Sequence, residues 1–343
     1  MAEIPAAMQA VLLERHIDDP VRVIENLQVV EKPVPTPGPG QVLVKIEAAP
    51  CNPSDLMYMR GRYGITKRPP TVPGFEGAGT VVASGGGLLG SFLKGKRVAC
   101  GGQSDADGTW AEYFLAEAGY CIPLRAALPF DQGAMMIANP ITALVLFDLC
   151  RKGGHRAAIH SAGASQLGRM LTRLAAEAGY PLINLVRRDE LIAPLKQLGA
   201  QIVLNMTSPG FDDELRKHAG ELGATIVLDA VAGPMLRRVM KAMPLKSRAI
   251  VYGSLSESDA PLDPHDLIFR EQTVEGFWLS TWIANKSLFT KMRLSNQVQK
   301  RIAAGTFGSE VRARLKLADV RSGLLDYQRH MSEGKILICP GLR

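Results

Sequence analysis

The stretch Arg156–Gly179, RAAIHSAGASQLGRMLTRLAAEAG, decides the fold. It opens on RAAIH (156–160), a short apolar run that reads as a buried strand. It closes on QLGRMLTRLAAEAG (166–179), whose apolar residues recur at helical spacing, with Gly179 placed to end the helix. Between them HSAGASQLGRM (160–170) has two glycines where a dinucleotide-binding fingerprint has three. A strand entering and a helix leaving is the context such a turn requires. The start of a helix offers unpaired N–H groups and a partial positive charge, both suited to a pyrophosphate. Gly163 supplies the tight turn and Gly168 permits close helix–strand packing. Ser165 takes the middle position, small enough for close approach and carrying a hydroxyl for a phosphate oxygen. Ala164, Gln166 and Leu167 complete the candidate cofactor loop. The competing reading is a tight turn with no ligand. Its position as the first βα turn of a repeated pattern weakens that reading, because ligands bind at the carboxyl ends of such strands.

The repeat extends on both sides. AMMIANPITALVLFDLCRKGG (134–154) reads as mostly helical, and PLINLV (181–186), AQIVLN (200–205), TIVLDAV (225–231), RAIVYGS (248–254) and TVEGFWLS (273–280) as strands. ELIAPLKQLG (190–199), DDELRKHAGELG (212–223) and PMLRRVMKAM (234–243) are the helices between them. Repeated β-α-β with apolar strands predicts an α/β fold built on a doubly wound parallel sheet. The first third is different. MQAVLLER (8–15), GQVLVKIEAAP (40–50), GAGTVVASG (77–85), GKRVAC (95–100) and GTWAEYFLA (108–116) are short strand-like runs separated by Gly/Pro-rich turns. The last sixty residues read as amphipathic helix followed by a terminal strand, KILICP (335–340).

The second Rossmann-type strand runs into INLVRRDE (183–190). An acidic residue at this corner holds the ribose 2′-OH of NAD, whereas arginine suits the 2′-phosphate of NADP. Arg187 and Arg188 favour NADPH over NADH, and Asp189 beside them keeps NADH open.

A length of 343 residues predicts about two domains. Apolar residues at 46% and charged residues at 21% exclude a disordered chain. No apolar run approaches the length of about 18 that a membrane-spanning helix needs, and MAEIPAAMQAVLLERH is a poor signal peptide. Cys51, Cys100, Cys121, Cys150 and Cys339 are odd in number and scattered, which predicts free thiols and a cytoplasmic location. The net charge of +7 is dispersed among acidic residues without a nucleic-acid motif. A small anionic cofactor or substrate explains it better than nucleic acid or membrane.

Four further landmarks follow in order: APCNPSDLMYMRGRYG (49–64), PGFEGAGTVVASG (73–85), GTWAEY (108–113) and NPITA (139–143). With the nucleotide loop they resemble the medium-chain dehydrogenase/reductase superfamily over nearly the whole chain. The resemblance implies a GroES-like β-rich catalytic domain over 1–127 and 277–343 and a Rossmann domain over 128–276. The zinc branch of that superfamily ligates metal through a cysteine and a Gly-His-Glu motif. This chain reads Gly74-Phe75-Glu76, with Asn52 where the cysteine would stand and Cys51 one residue out of register. There are no four closely spaced cysteines for a structural zinc, and the six histidines are isolated, so no metal is expected.

Two zinc-free groups are similar to the chain: NADPH:quinone oxidoreductases and mitochondrial-type trans-2-enoyl thioester reductases. The serine-containing loop, INLVRRD and LIFREQTVEGFWLSTW (267–282) lie nearer the second, while Leu144 departs from the tyrosine that the family commonly has. The resemblance implies hydride transfer from NADPH to an activated C=C bond, with 2-enoyl-CoA or an enoyl acyl carrier protein preferred. Quinone reduction is the alternative, and a non-catalytic NADPH-binding protein the third reading.

Tyr63, Asn52 and Trp278 are the catalytic candidates. A phenol with an ordinary pKa of about 10 is protonated at neutral pH and can donate to the substrate. Asn52 would hold cofactor or substrate through its amide, and Trp278 would wall the acyl chain. The plainer readings are a packed loop aromatic, an Asx turn before Pro53, and the core of an edge strand. Thr142 is expected near the nicotinamide ribose, with Tyr252, Gly253, Phe277 and Leu279 meeting the nicotinamide end. Arg60, Arg62, Lys67 and Arg68 flank Tyr63, either to attract an anionic acyl carrier or as a solvated charged loop. The run 273–280 is expected at a sheet edge, where pairing with a second copy would make a homodimer.

Overall fold

The computed structural model describes residues 3–65, 67–102 and 106–342. The chain divides into two compact units, Met1–Ala138 with Ser295–Arg343, and Asn139–Leu294.

The second unit carries a six-stranded sheet in which all neighbours are parallel. In spatial order the strands are Ile202–Asn205, Leu182–Val186, Ala157–His160, Ala224–Asp229, Arg248–Val251 and Thr273–Gly276. Counted along the chain this is 3-2-1-4-5-6, the doubly wound dinucleotide-binding order. The central strands are buried on both faces, which is why they read as unbroken apolar runs. Helix Gln166–Glu177 buries Leu167, Met170, Leu171, Leu174 and Ala175. Its apolar stripe covers the sheet, and the chain turns out of it at Gly179, where φ is +59°.

The edge strand is shorter than the expected 273–280. Its neighbour Arg248–Val251 supplies only four residues, and the last cross-strand bond runs from Phe277 N to Val251 O at 2.8 Å. With no further backbone to pair, the chain turns at Trp278 into helix Leu279–Ala284. Trp278 is therefore a helix N-cap rather than a strand residue.

In the first unit, strand Gln41–Pro50 pairs antiparallel with Glu76–Ser84, Tyr113–Glu117 and the C-terminal strand Lys335–Ile338. The core around it includes Trp110, Tyr58 and Tyr327, each at most 1% exposed. Strand Val311–Leu315 pairs parallel with Lys335–Ile338, inside a region whose sequence reads as helical. Leu337 lies opposite Pro50, and this register brings Lys335 against the turn after that proline.

The unit boundaries fall later than 127/128 and 276/277. Helix Phe130–Ala134 packs on strands Gln41–Pro50, Glu76–Ser84 and Arg97–Gly101, which holds 128–138 in the first unit. Residues 277–294 stay in the second, where Trp282 and Leu294 line a cleft with Val145 and Leu149. Among the described residues no helix is long and apolar enough to cross a membrane.

Candidate active site

The nucleotide loop follows strand Ala157–His160 at the point where strand order reverses. Gly163 N donates to Leu185 O at 2.9 Å, seating the turn on the neighbouring strand. Ser165 is the N-cap of helix Gln166–Glu177, and its Oγ accepts from Gly168 N at 3.0 Å. A helix leaves its first N–H groups unpaired. Ser165 takes that of Gly168, whereas those of Gln166 and Leu167 have no partner outside the helix among the described residues. Among the described residues the serine hydroxyl makes no bond as a donor. A Cβ on Gly168 would lie 2.4 Å from both Ala162 O and Gly163 O, so only glycine permits this loop to sit on its helix.

Two buried arrangements that were not singled out in the sequence brace this edge. Ser161 Oγ donates to Asp229 Oδ1 at 2.6 Å and accepts from Ala230 N at 2.9 Å. Asp229 also accepts from Val231 N and Ala232 N, both at 3.0 Å, tying adjacent strand ends together. The acid ending TIVLD was the available signal. His160 is fully buried, and burial holds its pKa down at about 3, so the ring is neutral. Its Nε2 lies 2.6 Å from Tyr252 OH, and its Nδ1 has no partner among the described residues. A bare lone pair is cheaper to bury than an orphan N–H, which assigns the proton to Nε2. Nε2 then donates to the tyrosine oxygen and leaves the Tyr252 hydroxyl free to donate elsewhere.

Because the strands are parallel, residues that follow them gather at one edge of the sheet: the loop 163–168, Arg187 and Arg188, Tyr252 and Gly253, and Phe277 to Leu279. A Cβ on Gly253 would meet Ala230 O at 2.8 Å. Thr142 is buried near the start of helix Ala138–Lys152. At the ribose corner Asp189 accepts from Asn205 Nδ2 at 2.8 Å, and Arg188 pairs with Glu190 at 3.1 Å. Arg187 is exposed and makes no ion pair among the described residues. The corner thus presents a guanidinium, while its carboxylate is engaged locally.

In the first unit, Asn52 caps helix Pro53–Met59. The motif Asn-Pro-Ser-Asp works as a cap: Asp55 Oδ2 accepts from Asn52 N at 2.7 Å, and Asp55 Oδ1 from Phe75 N at 3.1 Å. The Asn52 amide, expected to hold cofactor or substrate, is engaged inside the protein. Its Nδ2 donates to Glu76 Oε1 at 2.8 Å and its Oδ1 accepts from Lys335 Nζ at 2.5 Å. Glu76 Oε2 accepts from Ala138 N at 2.9 Å and Ile137 N at 3.2 Å. Asn52, Asp55, Glu76 and Lys335 are all at most 4% exposed. Burial pushes the Asp55 carboxyl up to about 7, reinforced by the Glu76 charge and opposed by the bond from Asn52 N and by Lys335. Burial likewise raises Glu76 and lowers Lys335, the latter against the pull of Glu76, Cys51 and Asp55. The buried Cys51 thiol is pushed far up and is inert. Asp55 follows the N-cap at capping-box spacing and Glu76 lies in the quoted GFE motif, whereas nothing near Lys335 signals its partner.

Tyr63 follows helix Pro53–Met59, half-buried, and its ring stacks on Phe75 with centroids 5.3 Å apart. The four flanking cations do not form one anion-attracting patch. Lys67 is 5% exposed and donates to Val72 O at 2.9 Å. Arg60 donates to Asp18 O at 2.6 Å, and both Arg60 and Arg62 pair with the Asp18 carboxylate. Arg68 is exposed.

Residues 38–126 match the alcohol dehydrogenase GroES-like domain family, and residues 167–294 the zinc-binding dehydrogenase family. A mitochondrial enoyl-[acyl-carrier-protein] reductase of Caenorhabditis elegans is 26% identical over 323 residues, covering 91% of this chain and 90% of its own. The Bos taurus protein of that name is 29% identical over 291 residues, covering 81% and 74%. A Mesorhizobium loti protein whose crystal structure is described as that of a candidate NADPH:quinone reductase is 38% identical, with a TM-score of 0.92 over 99% of this chain and 100% of its own. Despite the second family's description, the residues here do not fit a zinc ion. Phe75 offers no donor atom, and the Lys335 ammonium already sits against Asn52, where a second cation would be repelled. Among the described residues no group of three or more His, Cys, Asp or Glu is arranged to hold a metal. The chain belongs to the medium-chain dehydrogenase/reductase superfamily, in its zinc-free branch of quinone and enoyl thioester reductases, and is an NAD(P)H-dependent oxidoreductase.

Proposed function

We propose that this protein is an NADPH-dependent reductase of activated C=C bonds, with enoyl thioesters carried on CoA or acyl carrier protein as the preferred class. The cofactor preference rests on Arg187, exposed and unpaired among the described residues, beside an Asp189 held by Asn205. The substrate class rests on the relatives named enoyl-[acyl-carrier-protein] reductase, one of which matches 91% of the chain. The Gly163–Gly168 loop would hold NADPH, which when bound would supply hydride to the β-carbon of the activated C=C bond while the α-carbon takes a proton from the protein.

The residues named here carry the rest. The N–H groups of Gln166 and Leu167 and the Ser165 hydroxyl bind the pyrophosphate, and Arg187 with Arg188 the 2′-phosphate. Tyr63 is the proton donor, and Trp278, 39% exposed, walls the acyl chain. Thr142, Tyr252, Gly253, Phe277 and Leu279 orient the nicotinamide end, and Asn52 acts through the Glu76–Lys335 network rather than by direct contact. Quinone reduction is the second reading, favoured by the 38% identity to the Mesorhizobium loti protein described above.

A homodimer would pair the exposed edge strand Thr273–Gly276 with its counterpart and cover Ile268 and Phe269, 64% and 67% exposed. Five buried free cysteines accord with a reducing, cytoplasmic setting.

The test is NADPH and NADH oxidation with a 2-enoyl-CoA, a simple enone and a quinone. The expected order has the enoyl thioester highest in kcat/KM and NADPH well ahead of NADH. Tyr63→Phe should lower kcat with the enoyl thioester about 100-fold, within the range for loss of a general acid. A quinone preferred over both alkenes would instead establish the second reading.

A further inference from the structure

We infer that Phe75 is a positioning residue for Tyr63: its ring is the wall against which the proposed proton donor is held. The inference rests on the reading of Tyr63 as proton donor. Phe75 occupies the middle of Gly74-Phe75-Glu76, and its ring contacts those of two tyrosines. Tyr63 stacks on it at a centroid distance of 5.3 Å and an interplanar angle of 28°. Tyr58 meets it edge-on at 5.4 Å and 64°.

The wall itself is fixed. Tyr58 is 1% exposed and donates to Lys67 O at 3.3 Å, so it is a buried, tethered neighbour of the Phe75 ring. The Phe75 backbone is tied on both sides: its N–H donates to Asp55 Oδ1 at 3.1 Å, and its carbonyl accepts from Gly102 N at 3.1 Å. Gly74 before it has φ of +101°, and a Cβ there would press on Trp110 Cδ1 and Thr109 Oγ1 at 2.5 Å. Asp55 is the group that also holds the Asn52 N-cap, so Phe75 hangs from the same buried carboxylate that starts helix Pro53–Met59.

Tyr63 is placed differently. It stands in the turn after that helix, between the exposed Arg62 and Gly64. Backbone bonds from Arg62 N to Met57 O and from Ile65 N to Tyr63 O shape the turn. A phenol that must reach one carbon of a bound substrate needs a defined direction, and a misplacement of about 1 Å costs up to about 100-fold in rate. Offset stacking on a fixed ring supplies that definition.

The experiment is a double-mutant cycle on the full-length protein with NADPH and a 2-enoyl-CoA, combined with a spectroscopic readout of the ring. Phe75→Leu should lower kcat about tenfold while KM for NADPH changes less than about twofold. In a Tyr63→Phe background the same substitution should change kcat less than about twofold, because the group it positions no longer donates. Phe75→Tyr, which keeps an aromatic wall, should restore kcat to within about threefold of the parent. In parallel, 3-fluorotyrosine placed at position 63 reports the ring by fluorine NMR. One narrow line is expected in the parent and Phe75→Tyr proteins, and a shifted, broadened line in Phe75→Leu.

An equal loss in both backgrounds, or an unchanged fluorine line in Phe75→Leu, overturns the inference and leaves the role of Tyr63 standing. A Tyr63→Phe protein with parental kcat overturns the proton-donor reading instead. The fluorine line then decides alone whether Phe75 fixes the ring. Should Phe75→Leu not fold, Phe75→Val and Phe75→Tyr carry the same comparison.

Discussion

Lys335→Met removes the one ammonium from a buried cluster that also holds two carboxylates. In the native protein Lys335 Nζ donates to Asn52 Oδ1 at 2.5 Å and Cys51 O at 3.4 Å, and its charge faces Glu76 and Asp55. Methionine fills similar volume but leaves those carboxylates without a counter-charge. Breaking a buried ion pair from one side costs about 3–5 kcal/mol. That cost depends on the carboxylates being ionised, so it depends on pH.

The Asp55 carboxyl, pushed up to about 7, holds a proton more tightly folded than unfolded. Its contribution therefore favours the folded state in acid and declines as pH rises from about 4 to 7, by roughly 4 kcal/mol in all. Lys335 lowers the pKa of both Asp55 and Glu76. Its loss lets both titrate at higher pH, and the decline in stability extends above 7. The variant should be about 3–5 kcal/mol less stable than the parent near pH 8.5, and only about 1–2 kcal/mol less stable near pH 5.5, where protonation relieves the charges.

Urea unfolding at the two pH values measures the difference, with Trp278 and Trp282 replaced by Phe so that emission reports Trp110. That indole is fully buried in the same unit and donates to Pro50 O at 3.2 Å, beside the cluster. A deficit that is equal at both pH values, or larger in acid, would refute the electrostatic reasoning and leave only lost packing.

Two further perturbations test the cofactor edge. Gly168→Ala places a Cβ 2.4 Å from two carbonyl oxygens, so the helix must move off its loop; NADPH affinity by fluorescence titration should fall at least tenfold, with a loss of thermal stability. Arg187→Gln should raise KM for NADPH about tenfold and leave KM for NADH within about twofold, since only the 2′-phosphate is deprived of a partner; equal effects on both cofactors would place Arg187 outside the ribose corner.

What was legible in the sequence follows from how far each contact reaches along the chain. The parallel sheet announced itself because strands such as Ala157–His160 and Leu182–Val186, buried on both faces, must be apolar throughout. The nucleotide loop announced itself because a strand, a tight turn and a helix are consecutive. The end of the edge strand did not: where pairing stops is set by the four residues of Arg248–Val251, not by TVEGFWLS itself. VRARL alternates at period two inside a stretch that reads as amphipathic helix, and only its pairing with Lys335–Ile338 distinguishes the two. The contact of Lys335 with Asn52 spans 283 positions and depends on strand register, so no local pattern could reveal it. Phe75 is the sharpest case. Read along the chain, it registers only as a residue that cannot bind metal. In the fold it stacks on Tyr63, while Lys335, from the far end of the chain, sets a covalently tethered cation against Asn52. The residues that make zinc unsuitable are therefore the ones that stack on Tyr63 and bond to Asn52. That is a reason to test them as parts of the reaction machinery rather than as remnants of a lost site.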